Sequence, residues 1–348
     1  MRRSIAAGRS IVMRERNNID TLRILAALTV MLSHSFPLSY GNEDREPLFR
    51  ISGKQTTFGA IAVAVFFIIS GYLITQSFQR SPNPLRFLIA RGLRLLPALA
   101  VVLVILAFIV GPAISALPLS AYFRSSGPYE YIIINFSLVS WLNELPGVFP
   151  GNPLPGVVNG SLWTLTYEAR CYLAVLVLGV CGILNRATVL FLSLAGCVAM
   201  KFHFGHAAME FYSYFAGGCL ICLWRPPLRG WAAGCCGLIC VAALFAGGFR
   251  IALATAGAYL VLCIALSPRI RLPEFARWGD LSYGTYICAF PVQQAVTAVL
   301  GVWTTWYLNL AISVPVVLGL AFVSWHCIEA PALRFKNRRP PAMHPATG

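Results

Sequence analysis

Apolar residues in this chain gather in long blocks, not in alternating or heptad patterns. Ten windows are dominated by them: 19–39, 58–78, 94–112, 162–184, 187–204, 210–224, 231–248, 251–267, 281–300 and 308–329. A helix needs about 20 such residues to cross the hydrocarbon of a bilayer, and one that is apolar all round has no face to offer water. The pattern therefore predicts an all-α, polytopic membrane protein with about ten transmembrane helices. A further apolar piece, Tyr129–Leu142, is too short to span comfortably and reads as a re-entrant or interfacial helix. The run that follows it, LPGVFPGNPLPGVVNG, is too rich in Pro and Gly for regular structure and predicts a shaped loop over one end of the bundle.

This organisation leaves room for one membrane domain, 17–333. It is flanked by a basic segment, 1–16, and a basic Pro-rich tail, 334–348. The first apolar block lacks the short core and small-residue cleavage site of a signal peptide and is expected to stay as a helix.

Composition agrees with a bilayer as the main partner, since 58% of residues are hydrophobic and 11% charged. A net charge of +15 would suggest nucleic acid in a soluble chain. Here its distribution argues otherwise, and no nucleic-acid partner is expected. When alternate loops are assigned to opposite sides, nineteen of the 27 lysines and arginines fall on one side. The positive-inside rule makes that side cytoplasmic, with both termini on it, and the expected location is the inner (plasma) membrane. The 11 cysteines lie mostly within spans. Cys219 and Cys222 fall in mid-helix without a second pair, so they read as small core residues, and no metal site or permanently bound cofactor is expected.

Ionisable residues inside apolar blocks are costly and usually face the bundle interior. Arg23 and His34 interrupt the first block, DTLRILAALTVMLSHSFPLSY. Eleven residues apart, they share a helix face at about 16 Å. Imidazole exchanges protons at neutral pH, so His34 is a candidate general base or nucleophile, or else a core histidine bonded to a carbonyl. Arg23 needs an anion, and Asp20 on the same face is the local option. Arg91 and Arg94 lie on one face at the start of the third span, either as a phosphate-binding fork or as cytoplasmic anchors. Arg80 and Arg86, in the loop before them, read as anchors. Glu168 is the one acid read as lying deep in a span, with Trp163 and Tyr167 nearby as an interfacial belt or a sugar-stacking surface. Arg170 is too close in sequence to Glu168 to point the same way. Asn159-Gly160-Ser161 reads as loop chemistry, and Ser70-Gly71 as a close helix-packing point.

The chain resembles the acyltransferase 3 family of integral membrane acyltransferases. Six ordered pieces carry the resemblance: NNIDTLRILAALTVMLSH, AVFFIISGYLIT, RGLRLLP, NGSLWTLTYEARCYL, LSYGTYICAFPVQQ and IEAPALRF. The resemblance implies a ten-helix bundle that moves an acyl group, commonly acetyl, from acyl-CoA to a hydroxyl of an extracytoplasmic carbohydrate or glycolipid. It implies that His34 is the catalytic histidine with Arg23 its partner. It also implies that Arg91 and Arg94 bind the acyl-CoA co-substrate and that Glu168 is the acid of the tryptophan–glutamate helix. One departure is visible: relatives often carry a histidine before the Phe-Pro of the penultimate helix, where this chain has Ala289. No appended extracytoplasmic SGNH-type domain is expected either. The alternative from another class is a transporter using His34 and Glu168 as a proton relay.

Overall fold

The computed structural model describes residues 17–202, 204 and 206–335; the basic segment 1–16 and the tail from 336 onward lie outside the described residues. The described residues are helical, without a strand beyond a single antiparallel bridge between Glu144 and Val157. In chain order the main helices are α1 (Ile19–Tyr40), α2 (Phe58–Arg80), α3 (Pro84–Ile114), α4 (Gly127–Ser137), α5 (Trp163–Val180) and α6 (Arg186–Lys201). They continue with α7 (His206–Trp224), α8 (Gly230–Ala246), α9 (Phe249–Leu266), α10 (Ser282–Leu300) and α11 (Trp306–Arg334). Each of the ten apolar blocks contains a helix. Six of these, α1, α2, α3, α9, α10 and α11, are long and apolar enough to cross a membrane, which makes this a multi-pass membrane protein. The eleven-residue α4 occupies the extra apolar piece and ends at Leu138 in a left-handed conformation (φ 55).

Polar residues start several helices where the first backbone N–H groups lack partners. Thr57, Asn83, Asn185 and Thr305 accept from backbone N–H groups in the first turns of α2, α3, α6 and α11. Asn83 and Pro84 start α3 ten residues before the expected window, so Arg91 and Arg94 lie within the helix and not at its mouth. Asn18 closes a longer circuit. Its side chain donates to the Ile264 and Ile270 carbonyls at 2.9 and 2.8 Å and accepts from the Leu272 N–H, joining the start of α1 to the end of α9.

The closest helix contact is between α2 and α7. A Cβ added at Gly71 would meet the Phe215 carbonyl oxygen at 2.0 Å, and one added at Gly218 would meet the Ile68 oxygen at 2.0 Å. Glycine on both helices lets the two backbones touch, as small residues do in membrane helix pairs, and Cys219 donates to the Gly71 carbonyl from the same seam. Cys219 and Cys222 are both buried there.

α1 and α10 run side by side in the same direction. Arg23 meets Asp280 at one level, Met31 meets Gln293 further along, and Leu38 meets Thr297 near the far end. Gln293, Asn309 and Thr297 link α10 to α11 through buried hydrogen bonds of 2.9–3.0 Å. Such networks hold a helix bundle in one register because apolar contacts alone discriminate poorly inside lipid. Large apolar side chains on α6 and α8, such as Phe191, Leu192 and Leu238, face outward.

Candidate active site

The site begins with an ion cluster between four segments of the chain. Asp280, just before α10, accepts from Arg23 Nη1 of α1 and Arg94 Nη2 of α3, each at 2.7 Å, through one oxygen, Oδ2. Its other oxygen, Oδ1, accepts from the Ser282 hydroxyl at 2.5 Å and the Ser282 N–H at 3.3 Å. Burial alone would raise the Asp280 carboxyl's pKa; the two guanidiniums and the Ser282 donors outweigh it and hold the group well below the usual carboxylate range. Arg94 also reaches Glu329 at 3.5 Å, and Glu329 accepts from the Ser324 hydroxyl at 2.9 Å. Glu329 sits at the end of a π-helical turn, Trp325–Glu329, within α11, and is 2% exposed. Two guanidiniums thus face two carboxylates, and neither sign is left uncompensated.

Above this cluster lies a narrow cavity. Its volume is about 560 Å³, counting the part open to solvent. Its lining includes Arg23, Arg94, Glu168, Tyr172, Tyr283 and Tyr286. The Tyr172 hydroxyl donates to Glu168 one helical turn earlier, while Tyr283 donates to the Leu95 carbonyl at 2.9 Å. Tyr286 and Thr164 share a hydrogen bond of 2.6 Å. Phenol groups with satisfied hydroxyls give the slot polar edges and aromatic walls.

His34 lies further along the same two helices, outside the lining. Its ring meets Phe290 edge-on at a centroid distance of 5.2 Å, one turn of α10 past Tyr286. Its Nδ1 is sealed from solvent and has no hydrogen-bond partner, so the core-histidine arrangement, in which a carbonyl takes that nitrogen, is not seen. Local chemistry explains how Phe290 and the loop meet. Pro291 has no N–H, which leaves the Ile287 carbonyl without its helical donor. The buried Asn159 amide donates to that carbonyl at 2.9 Å. Gly160 then offers the space the Phe290 ring fills, since a Cβ there would be 2.6 Å from the ring. Asn159 is thus loop chemistry, as expected. Beside His34 on α1, Ser33 donates to Glu46 at 3.1 Å, and Glu46 also accepts from the Phe58 N–H at 2.6 Å. Burial pushes the Glu46 carboxyl up against the pull of those two donors.

The remaining expected residues, Arg91, Trp163 and Tyr167, do not line the cavity. Arg91 lies against the Phe87 and Tyr172 rings, each at 6.0 Å, with its Nε buried and without a hydrogen-bond partner. Trp163 and Tyr167 join Trp141, Phe211 and Tyr212 in an aromatic cluster with centroid spacings of 5.2–6.3 Å. Arg170 points away from Glu168 and donates to the Val139 carbonyl at 2.9 Å. Two expectations need correction. Arg23 takes its carboxylate from Asp280, a partner not available from local spacing. Glu168 is also not alone among acids within the helices, because Glu329 is buried on α11. Asp280 and Glu329 each sit at the edge of an apolar block, where an acid passes for a loop residue. Their signal was position: Asp280 directly precedes LSYGTY and Glu329 lies within IEAPAL, two of the pieces that carry the family resemblance.

Comparison with known proteins adds the chemistry. A family profile described as an acyltransferase domain matches residues 16–326. An O-acetyl transferase of Shigella phage Sf6 is 28% identical over 361 aligned positions, covering 95% of this chain and 99% of the relative. Nodulation protein 10 of Rhizobium leguminosarum bv. viciae is 30% identical over 362 positions, covering 92% and 94%. No solved structure gives a significant match. With the profile spanning nearly all of the chain and both relatives matching end to end, this protein belongs to the acyltransferase 3 family and is a membrane-embedded O-acyltransferase.

Proposed function

We propose that the enzyme takes an acyl group, expected to be acetyl, from cytoplasmic acyl-CoA and passes it to a hydroxyl of an extracytoplasmic or lipid-linked carbohydrate. The observation that carries this reading is the shared axis of α1 and α10. Arg23 and Asp280 stand at one level, and His34 and Phe290 at the next, with the tyrosine-lined slot between. Ten or eleven residues of helix separate the two levels, about 16 Å at 1.5 Å per residue. A slender pantetheine arm suits such a slot, whereas a sugar does not.

In this mechanism the donor's phosphates approach from the end of the bundle that the arginine pattern marks as cytoplasmic. Arg91 is the cation with spare hydrogen-bonding capacity, and Arg23 and Arg94 are steadied by Asp280 and Glu329. The acceptor sugar arrives from the other end, under the 143–160 loop, with Trp163 and Tyr167 as stacking surfaces, while Glu168 lines the slot beside Arg23 and Arg94. His34 takes the sugar hydroxyl's proton as its oxygen attacks the thioester carbonyl. The carbon–sulfur bond breaks, the thiolate takes up a proton, and an ester and free CoA result. In the two-step form, the imidazole first accepts the acyl group itself.

The reading is supported by family membership, by the O-acetyl transferase relative from the phage and by the unpartnered Nδ1 of a histidine held within an apolar bundle. Incubating the purified protein in nanodiscs with labelled acetyl-CoA and a panel of cell-derived glycans tests it. Acceptor-dependent release of CoA with label on the glycan is expected. Glycan modification that proceeds without any acyl-CoA would overturn the donor assignment.

A further inference from the structure

A second polar recess lies on the opposite face of α2 from the cavity. Tyr72, Gln76 and Gln79 form a stripe at helical spacing on a helix that is otherwise strongly apolar, and Arg80 ends it. Arg225, just past α7, closes the other side, and these five residues line a recess of about 640 Å³, counting the part open to solvent. No carboxylate lines it, and among the described residues neither guanidinium forms an ion pair with one. That sets it apart from the central cluster, where every guanidinium of Arg23 and Arg94 has a carboxylate.

Plain anchoring at the membrane surface does not account for the arrangement. An anchor needs only the arginines, yet Gln76 and Tyr72 extend the polar stripe one and two turns into the span, with the Gln76 amide directed at the Tyr72 hydroxyl at 3.4 Å. The backbone makes a second, independent point. Arg225 is in the left-handed region (φ 50), uncommon for a side-chain-bearing residue, and its N–H bonds back to the Ile221 carbonyl at 2.9 Å. Pro226 and Pro227 follow, so the turn that aims Arg225 across the α2–α7 seam toward Arg80 is stiff. Arg186 covers the exposed end of α7 by donating to the Leu223 carbonyl at 3.2 Å, which leaves Arg225 free of that capping role.

We infer that Arg80, Arg225 and the Gln76 and Gln79 amides form a phosphate-binding site at the α2–α7 end of the bundle. Two guanidinium forks and two amides supply donors for several phosphate oxygens, and the recess is large enough for a phosphate with its first substituent. The same chemistry is offered by two sources, an acidic phospholipid headgroup and the 3′-phosphate of CoA. The phospholipid arm is independent of the acyl-transfer reading, whereas the CoA arm rests on it.

The test uses the full chain in phosphatidylcholine nanodiscs, comparing wild type with Arg80→Gln, Arg225→Gln and the double variant. Two probes are measured: CoA against dephospho-CoA, and retention of phosphatidylglycerol by native mass spectrometry. Each single variant is expected to weaken one probe about tenfold, the double variant to abolish it, and Arg→Lys replacements to retain part of it. Loss confined to CoA, and absent with dephospho-CoA, identifies the nucleotide end as the ligand. Loss confined to phosphatidylglycerol identifies the lipid. A double variant that binds both probes as wild type does overturns the site. Wild-type protein gives a check independent of any folding defect: binding at two exposed guanidiniums must weaken as chloride rises, and salt-insensitive binding of both probes overturns it equally.

Discussion

Arg23 and Asp280, 257 residues apart in the chain, meet at 2.7 Å, and the same carboxylate oxygen receives Arg94 at the same distance. A single oxygen therefore ties α1 to α3 at the start of α10. All three side chains are mostly buried, at 13–19% exposure, so each charge depends on the others for compensation.

Asp280→Asn removes the charge that two guanidiniums share and leaves them facing each other. Removing one partner from a buried pair costs about 3–5 kcal/mol, and the variant should lose roughly that in thermal unfolding of the purified protein. Glu329→Gln should cost less, because its contact with Arg94 is 3.5 Å long and Asp280 remains. Equal melting temperatures for wild type and Asp280→Asn would show that the cluster does not hold the helices.

The same carboxylate sets an acid limit. With its folded-state pKa held well below the unfolded value, Asp280 contributes stability that is fully present above the unfolded pKa of about 3.9 and is lost as pH falls toward the folded value. Between pH 7 and 5 its contribution should be constant, with the decline starting below about pH 4. Melting curves of wild type and Asp280→Asn across that range should converge only at the acidic end.

His34→Gln should reduce acyl transfer by about 10²–10⁴-fold, the usual weight of a general acid–base group, with little change in melting temperature. Phe290→Leu, which loosens the contact with the ring, should give a smaller loss. Rates of CoA release at saturating acceptor measure both. Full activity in a well-folded His34→Gln enzyme removes the imidazole from the reaction.

The α2–α7 seam makes a purely structural prediction. Gly71→Ala and Gly218→Ala each insert a methyl where a backbone oxygen stands 2.0 Å away, and no side chain can move aside to absorb it. Overpacking of this kind costs about 1–3 kcal/mol, readable as lower yield of monodisperse protein and a lower melting temperature. Gly182→Ala, where nothing crowds the position but φ is 72, separates crowding from backbone strain and should cost less than either.

The sequence revealed the helices more fully than the contacts between them. Apolar blocks are a local signal, and each contains a helix. The small-residue pair Ser70-Gly71 marked the close crossing, although Gly218 on the other side gave no sign within its apolar run. Arg23, His34, Arg94 and Glu168 stood out because charge within an apolar block is rare. Asp280 and Glu329 did not, since each lies at a block edge where acids are ordinary, and their pairing depends on how distant segments fold together. Arg91 and Arg94 look equivalent by spacing. Only the packing of α10 and α11 against α3 turns one toward carboxylates and leaves the other against rings.

Gln294 of α10 is fully buried against the 143–160 loop. Its buried amide donates to the Leu154 and Val157 carbonyls at 2.9 and 2.6 Å, and its oxygen accepts from Asn152 at 2.6 Å. The loop above the bundle is thus riveted to α10 and cannot lift as an independent flap. Any tilt of that helix carries Tyr286, Phe290 and the loop with it as a single lever.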